Sequence, residues 1–375
     1  MQTTTNTEEH FTKTLGFEGR IEDGGELLSR YEKLVSSPRL QWTNYHRLEK
    51  QLGSGGQGIV FLSHRRGIDG FTMPVAMKIF SPERFSQVTR YEQAMSRIGQ
   101  VAARVARIQH DNVLRVQDFI DRNRIRIMVM EWIDGYDLRS LMSLDRLHRI
   151  RARVSPRRWE YINSVIVTEG PTHARLKAGI AVAIVRDCLA ALAALHRERI
   201  VHGDIKPSNI MLNRSGHAKL IDIGSAFEIE EPPVIRSCTP TYAAPEVLEQ
   251  GIASFERSDL ASLGYVLIEL LSGRPCFTET DSLKSLMEAK RKLPHQLKDI
   301  LPPEVACNEL LMKFCRGLIA PDPSLRFPSA EAADLLEDGA ASFHRQLVLS
   351  NLATEYDNDI RIWLEELKQM EEIGE

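Results

Sequence analysis

The sequence predicts an α+β chain of two lobes, a small β-rich lobe followed by a larger helical one. Two observations predict it. Between about residues 46 and 132 three short apolar runs (59–62, 75–80 and 125–130) have the length and β-branched content of strands. One long helical pattern, roughly 86–108, lies between the second and third runs, with Ala and Val recurring at three- and four-residue intervals. After Trp132 helical stretches dominate, at 178–197, 258–271 and 328–341, with a small β region near 210–223 between the first two. The expected organisation is an N-terminal extension (1–45), a small lobe (46–132) and a large lobe (133–340). The large lobe carries a basic insertion near 143–177, and an acidic helical tail (341–375) follows it.

Composition narrows the class. The 375 residues are 43% hydrophobic and 26% charged, ordinary globular usage with room for more than one core. A net charge of −3 gives no global pull toward nucleic acid or anionic membrane. The five cysteines are scattered and form no C-x-x-C pair, which suggests neither a zinc site nor a disulfide framework, and a reducing compartment is expected. The first residues lack a basic region followed by an apolar core, so no signal peptide is read there. The most apolar stretch, 178–195, is interrupted by Arg186 and Asp187 and is read as too short and too charged to span a bilayer. These signs predict a cytoplasmic chain with no nucleic-acid and no membrane partner.

Four motifs carry chemistry. Gly53-Ser54-Gly55-Gly56-Gln57-Gly58 runs into the strand pattern beginning at Ile59, whereas a dinucleotide fingerprint would open a helix; it also lacks a Gly-Lys-Ser/Thr ending. A glycine-tipped hairpin over a nucleotide fits, because glycines let backbone N–H groups approach phosphates, although an ordinary Gly-rich hairpin has the same pattern. Lys78, in Val75-Ala76-Met77-Lys78, is a lysine within an apolar strand. A buried ammonium is costly unless paired, and phosphate contact would explain it, as would an edge strand facing water. His202-Gly203-Asp204-Ile205-Lys206-Pro207-Ser208-Asn209 gathers a base, a cation and a metal-binding amide on one loop, the roles phosphoryl transfer needs. Asp222-Ile223-Gly224 follows a strand and offers a carboxylate for Mg²⁺.

In this order, with Thr239-Pro240-Thr241-Tyr242-Ala243-Ala244-Pro245-Glu246 downstream, the set resembles the eukaryotic-type (Hanks-type) serine/threonine protein kinase family over about residues 46–340. Asp259 matches that family's F-helix aspartate, and Arg326 the arginine that pairs with the Ala-Pro-Glu glutamate, here Glu246. The resemblance implies the two-lobe protein-kinase fold, with ATP and Mg²⁺ as cofactors and a protein substrate bearing serine or threonine. It implies Asp204 as catalytic base, Lys206 balancing the γ-phosphate, Lys78 on the α- and β-phosphates, and Asn209 and Asp222 holding the metal. The nucleotide would lie against Leu52, Gly53, Ser54, Gly55, Gly58, Val60 and Ala76. Glu131 to Ile133 would form the hinge, Met130 the gatekeeper, and Asp137 would meet the ribose. His202 would pack the catalytic loop, and Lys206 with Thr239 resembles the Ser/Thr branch.

Three departures from the family pattern set further expectations. Gly203 stands where regulated members carry an arginine, so control through a phosphorylated activation loop is not expected (a non-RD kinase). The helix glutamate that should pair with Lys78 is missing from its usual place, nine residues before His110, where Val101 stands. Glu92, nine residues further back, faces the other way at about 100° per residue on a straight helix. Either Glu92 serves as the nucleotide-site partner on a displaced helix, or the pair is absent. The basic insertion, with Arg146, Arg149, Arg151, Arg153, Arg157 and Arg158, reads as a solvated loop or as a docking surface for something acidic. One candidate is an intramolecular contact with the tail, where Glu355, Asp357, Asp359, Glu365, Glu366, Glu371 and Glu372 accompany Ile360, Ile362, Trp363 and Leu367. Two functional readings stand: an active Ser/Thr kinase, favoured by the intact Lys78, Asp204, Asn209 and Asp222, and a pseudokinase acting as a nucleotide-binding or scaffolding signalling module. Ala244-Pro245-Glu246 disfavours a small-molecule phosphotransferase.

Overall fold

Alternating and β-branched residues in the first lobe pair into a five-stranded antiparallel sheet. Its strands are β1 (Leu48–Gly55), β2 (Gly58–Arg66), β3 (Thr72–Phe80), β4 (Val116–Arg122) and β5 (Ile125–Glu131), in the order β1-β2-β3-β5-β4. The computed structural model describes residues 25–37, 47–67, 69–233, 237–249, 256–278, 281–350 and 352–374; most of the N-terminal extension lies outside them. The register sets Lys78 of β3 opposite Val60 on β2 and Met128 on β5, so a central strand carries the lysine.

Two helices flank this sheet. Helix α1 (Gly25–Ser36), read from sequence as an extension apart from the core, buries Leu27, Tyr31 and Leu34 and packs beside β5. Helix α2 (Val88–Val105) buries Tyr91, Met95, Ile98, Val101, Ala102 and Val105, an entirely apolar inward stripe apart from the tyrosine hydroxyl. That hydroxyl donates to the Phe80 carbonyl at 3.3 Å and accepts from the Arg126 amide at 2.9 Å, fixing the helix's rotation against the sheet.

After the hinge the chain forms β6 (Gly135–Asp137) and then the insertion. The insertion is no loop: Ser155 caps α4 (Pro156–Tyr161), which follows α3 (Leu144–Arg153), and a π-helical turn (Ile162–Ile166) follows α4. Helix α5 (Ala178–Arg197) is long and apolar enough to cross a membrane, yet most of its side chains are buried inside the protein, where Ile180 to Leu195 form the centre of the large lobe. Strands β7 (Ile210–Asn213) and β8 (Ala218–Leu220) pair antiparallel, and β6 adds to β7 with Asp137 opposite Met211. This register brings the residues that follow β5 beside the end of the 202–209 loop.

Helix α6 (Glu256–Ser272) is buried on all sides from Ser258 to Ser272, which suits its even apolar distribution. Around it lie α7 (Leu283–Ile300) and α8 (Glu309–Ile319). The pattern at 328–341 predicts one helix, but the chain forms α9 (Ala330–Leu335) and α10 (Ala340–Leu349). Leu336 leaves helical geometry and Gly339 starts the next helix in an extended conformation.

The tail helix α11 (Tyr356–Gly374) buries Ile360, Trp363, Leu364 and Leu367 and packs on α3 and α5. At about 1.5–3 kcal/mol per fully buried large apolar side chain, this seam is a substantial contribution to folding. Its charged edge meets the insertion. Arg158 donates to both Glu366 oxygens at 2.7 and 3.1 Å, Arg146 lies 2.8 Å from Glu371, Tyr161 donates to Asp359 at 2.7 Å, and Arg153 donates to the Met370 carbonyl at 3.0 Å.

Candidate active site

The glycine-tipped β1–β2 hairpin, the inner face of β3, the hinge and the catalytic loop enclose a cleft of about 1210 Å³ between the lobes. Its walls include Leu52, Gly53, Ser54, Gly55, Gly58, Val60, Ala76, Lys78, Glu131, Ile133, Asp137, Lys206, Asn209 and Asp222, so residues from distant motifs meet there. Met130 lines the back. The Glu131 side chain turns away, accepting from Arg115 N–H and from Lys219 Nζ, both at 2.7 Å, and so leaves the hinge backbone to face the cleft. Asp137 caps the short helical turn after β6 by accepting from Ser140 N–H at 3.0 Å.

The loop 202–209 is held from below. The Asp259 carboxylate of α6 accepts the His202 and Gly203 N–H groups, each at 2.9 Å, and the His196 ring lies 3.0 Å away. Burial would raise the Asp259 carboxyl, but His196, His202 and the backbone donors outweigh that and hold it low. His202 is fully buried with Nε2 3.0 Å from the Ile221 carbonyl. Gly203 has φ +78, and a Cβ there would stand 2.9 Å from the Ser225 carbonyl, so glycine suits the backbone independently of any regulatory meaning.

Asp204 is buried and its carboxylate is surrounded by donors. Oδ1 accepts the Thr239 amide at 2.9 Å and hydroxyl at 2.8 Å; Oδ2 lies 2.8 Å from Lys206 Nζ and 3.2 Å from Asn209 Nδ2. Lys206 also donates to the Thr239 hydroxyl at 2.9 Å. A carboxylate, a cation, an amide and a threonine from the segment before Pro245 thus form one network. Downstream, Arg326 forms a bidentate pair with Glu246 at 2.6 and 2.8 Å, fully buried, with Ser258 donating to the same carboxylate at 2.7 Å.

Opposite this loop Lys78 Nζ lies 2.5 Å from Asp222 Oδ1 and 2.6 Å from Gln57 Oε1. Burial would raise the Asp222 carboxyl, but the Lys78 ammonium outweighs it and holds it down to about 2. For Lys78 burial wins, and its pKa falls below the ordinary lysine value despite Asp222. Asp222 itself adopts a left-handed backbone (φ 61), a conformation aspartate tolerates better than most residues.

The structure corrects one expected site residue. Glu92 does not reach the cleft: it accepts from Arg124 Nε at 3.0 Å and Nη2 at 2.8 Å on the outer surface of α2. The cause is helical geometry, because its neighbour Tyr91 is locked inward and about 100° of rotation then turns Glu92 to solvent. Val101 occupies the inward place expected for the pairing glutamate, and it is buried. Several contributors were not legible as site residues, among them Gln57, hidden within the glycine motif, and Arg146, Leu364 and Lys368, which line the cleft mouth from the insertion and tail.

A cation here would find oxygen donors from Asp222 and Asn209. Among the described residues no group of three or more His, Cys, Asp or Glu side chains could hold a metal. Two oxygen-donor side chains suit a hard cation that takes its other ligands from phosphates and water.

Two lobes about a nucleotide-sized cleft, with this loop and this lysine, define the protein-kinase class. A model of the family described as "Protein kinase domain" matches residues 45–336, and the chain belongs to that family. Among curated proteins it is similar to serine/threonine-protein kinase PknL of Mycobacterium tuberculosis, 31% identical over 242 residues, which is 63% of this chain and 51% of the relative. It is also similar to serine/threonine-protein kinase PkaA of Streptomyces coelicolor, 28% identical over 272 residues, 68% of this chain and 44% of the relative. The chain thus spans about half the length of these curated relatives.

Proposed function

We propose that this chain transfers the γ-phosphate of ATP to serine or threonine hydroxyls of protein substrates. The observation that carries this reading is the pair of facing sets: Asp204, Lys206, Asn209 and Thr239 below, Lys78 and Asp222 above. Asp204 would orient the substrate hydroxyl and receive its proton, Lys206 would offset charge on the transferred group, and Lys78 would hold the α- and β-phosphates. Bound Mg²⁺ would supply charge neutralisation at the phosphates, held by Asp222 and Asn209. Catalysis of this kind is mostly positioning and electrostatics, which a buried, donor-filled Asp204 network supports.

The reading includes control that does not run through an arginine at position 203. It also includes a structural role for the tail at the ribose side of the cleft, supported by two contacts: Glu371 with Tyr136 at 2.8 Å and Lys368 with Asp134 at 3.2 Å. A cytoplasmic setting belongs to the same reading and is supported by the scattered spacing of the five cysteines, which form no C-x-x-C pair.

One observation favours a second reading, a nucleotide-binding signalling module without transfer: no carboxylate of α2 meets Lys78. Radiolabel transfer from γ-³²P-ATP to a generic basic protein, with Asp222→Asn as the blank, separates the two. Label well above the blank is expected. Nucleotide binding with no label above the blank would leave only the signalling module.

A further inference from the structure

Helix α2 presents no acid to Lys78, whose ammonium meets Asp222 and Gln57 instead. Gln57, in the β1–β2 turn, is 5% exposed although glycines surround it in sequence. Its amide points down into the cleft. An ammonium can only donate, so the atom facing Lys78 at 2.6 Å is the carbonyl Oε1. The amide nitrogen donates to Ser225 Oγ at 2.8 Å and Ser237 Oγ at 3.3 Å, and Arg84 donates to the same Ser237 hydroxyl at 3.2 Å. The turn itself is tied to the end of β3, because the Ser81 N–H donates to the Gln57 carbonyl at 2.9 Å. Gly224 makes room for all this: a Cβ there would stand 2.1 Å from Gln57 Oε1 and 2.8 Å from Lys78 Nζ.

We infer that Gln57 is the positioning residue for Lys78, taking over from the glycine-rich turn the task that no side chain of α2 performs. The inference rests on the kinase reading and deepens it. A neutral acceptor aims the ammonium without adding a second negative charge beside Asp222. It also leaves Lys78 a fixed partner while Asp222 serves a cation. Coupling follows from the geometry. Ser225 follows the Asp222 motif and Ser237 precedes Thr239, so one amide links the turn over the phosphates to the segments on either side of the activation loop.

The test is Gln57→Met, which keeps the length and removes the acceptor, in the full chain with nucleotide and protein substrate. The expected result is a rise of about tenfold in KM for ATP and in the Kd for Mg²⁺-ATP, equivalent to about 1.4 kcal/mol. KM for the protein substrate and the thermal midpoint without nucleotide should hold. Gln57→Glu, which restores an acceptor, should return KM for ATP to within about threefold of wild type, roughly 0.7 kcal/mol. Ser225→Ala should move the same constant by less, and combined with Gln57→Met should add nothing further. It carries the test if Gln57→Met does not fold. An unchanged KM for ATP in Gln57→Met, in an enzyme whose wild type transfers label, would overturn this inference alone. So would an equal rise in both KM values with a lowered midpoint, the signature of lost packing. A wild type that neither binds nor uses ATP would overturn the kinase reading and this inference with it.

Discussion

Glu92 and Lys78 sit on adjacent elements yet point to opposite sides of α2, the glutamate held outside by two hydrogen bonds from Arg124 and the lysine inside by Asp222 and Gln57. Glu92→Gln should therefore leave kcat and KM unchanged and shift stability by no more than about 0.5 kcal/mol, the range of an exposed ion pair. In a double-mutant cycle with Lys78→Met the effects should add within about 0.5 kcal/mol. A larger coupling in kinetics of phosphate transfer would mean that the helix swings inward when nucleotide binds.

Gly203 leads to a second expectation. Phosphatase treatment should leave activity within about twofold, because no guanidinium at that position waits for a phosphorylated loop. Restoring an arginine there should not install the missing control. With φ +78 and the Ser225 carbonyl 2.9 Å from a Cβ, Gly203→Arg should cost about 1–3 kcal/mol of stability, read by urea denaturation. If Ser237→Asp rescued an inactive alanine variant of that segment, the expectation would fail.

Lys290, fully buried on α7, donates to the Thr241 carbonyl at 2.6 Å and stands 4.2 Å from the centres of both the Tyr265 and Phe277 rings. Burial lowers its pKa to about 7, while the unfolded lysine stays near 10.5. Between those values the unfolded state holds more protons, so this group makes stability rise with pH, by up to about 1.4 kcal/mol per unit. The gain is lost as pH falls through 7. Stability measured from pH 6 to 9 should show a steeper rise in wild type than in Lys290→Met. Equal slopes would place the titration elsewhere.

The tail offers a fourth measurement. Trp363 is 2% exposed, and its replacement by alanine should cost about 3–5 kcal/mol if α11 folds with the large lobe. Glu366→Gln, at a half-buried bidentate pair, should cost nearer 1–2 kcal/mol and lose sensitivity to salt. Removing residues 355–375 should raise KM for ATP, since Leu364 and Lys368 leave the cleft wall. No change in either midpoint or KM would argue that the tail is a passenger.

Much of this architecture was legible in the chain because the signals are short-range. Glycine spacing, a lysine in a β-branched run and the Asp204-to-Asn209 segment each encode their geometry within a few residues, and the long pattern at 178–197 matches α5 end to end. What escaped depends on contacts across long separations. Glu92 could not be placed without knowing that Tyr91 is anchored by Phe80 and Arg126. Gln57 carries no local signal, because its partners Ser225 and Ser237 lie 168 and 180 residues away. The insertion, dense in arginine, was readable as solvated loop, yet Ser155 as a cap and the apolar Leu147 and Ile150 make it helical and bind it to the core.

The seating of α11 also decides where any continuation of the polypeptide would emerge. Glu371 touches Tyr136 beside β6, so whatever is joined after residue 374 begins within a few residues of the cleft mouth. An affinity handle or fluorescent fusion attached there would sit on the doorstep of the cleft and compete for the same space. Comparing nucleotide affinity with and without such a fusion would measure how closely the entrance is guarded.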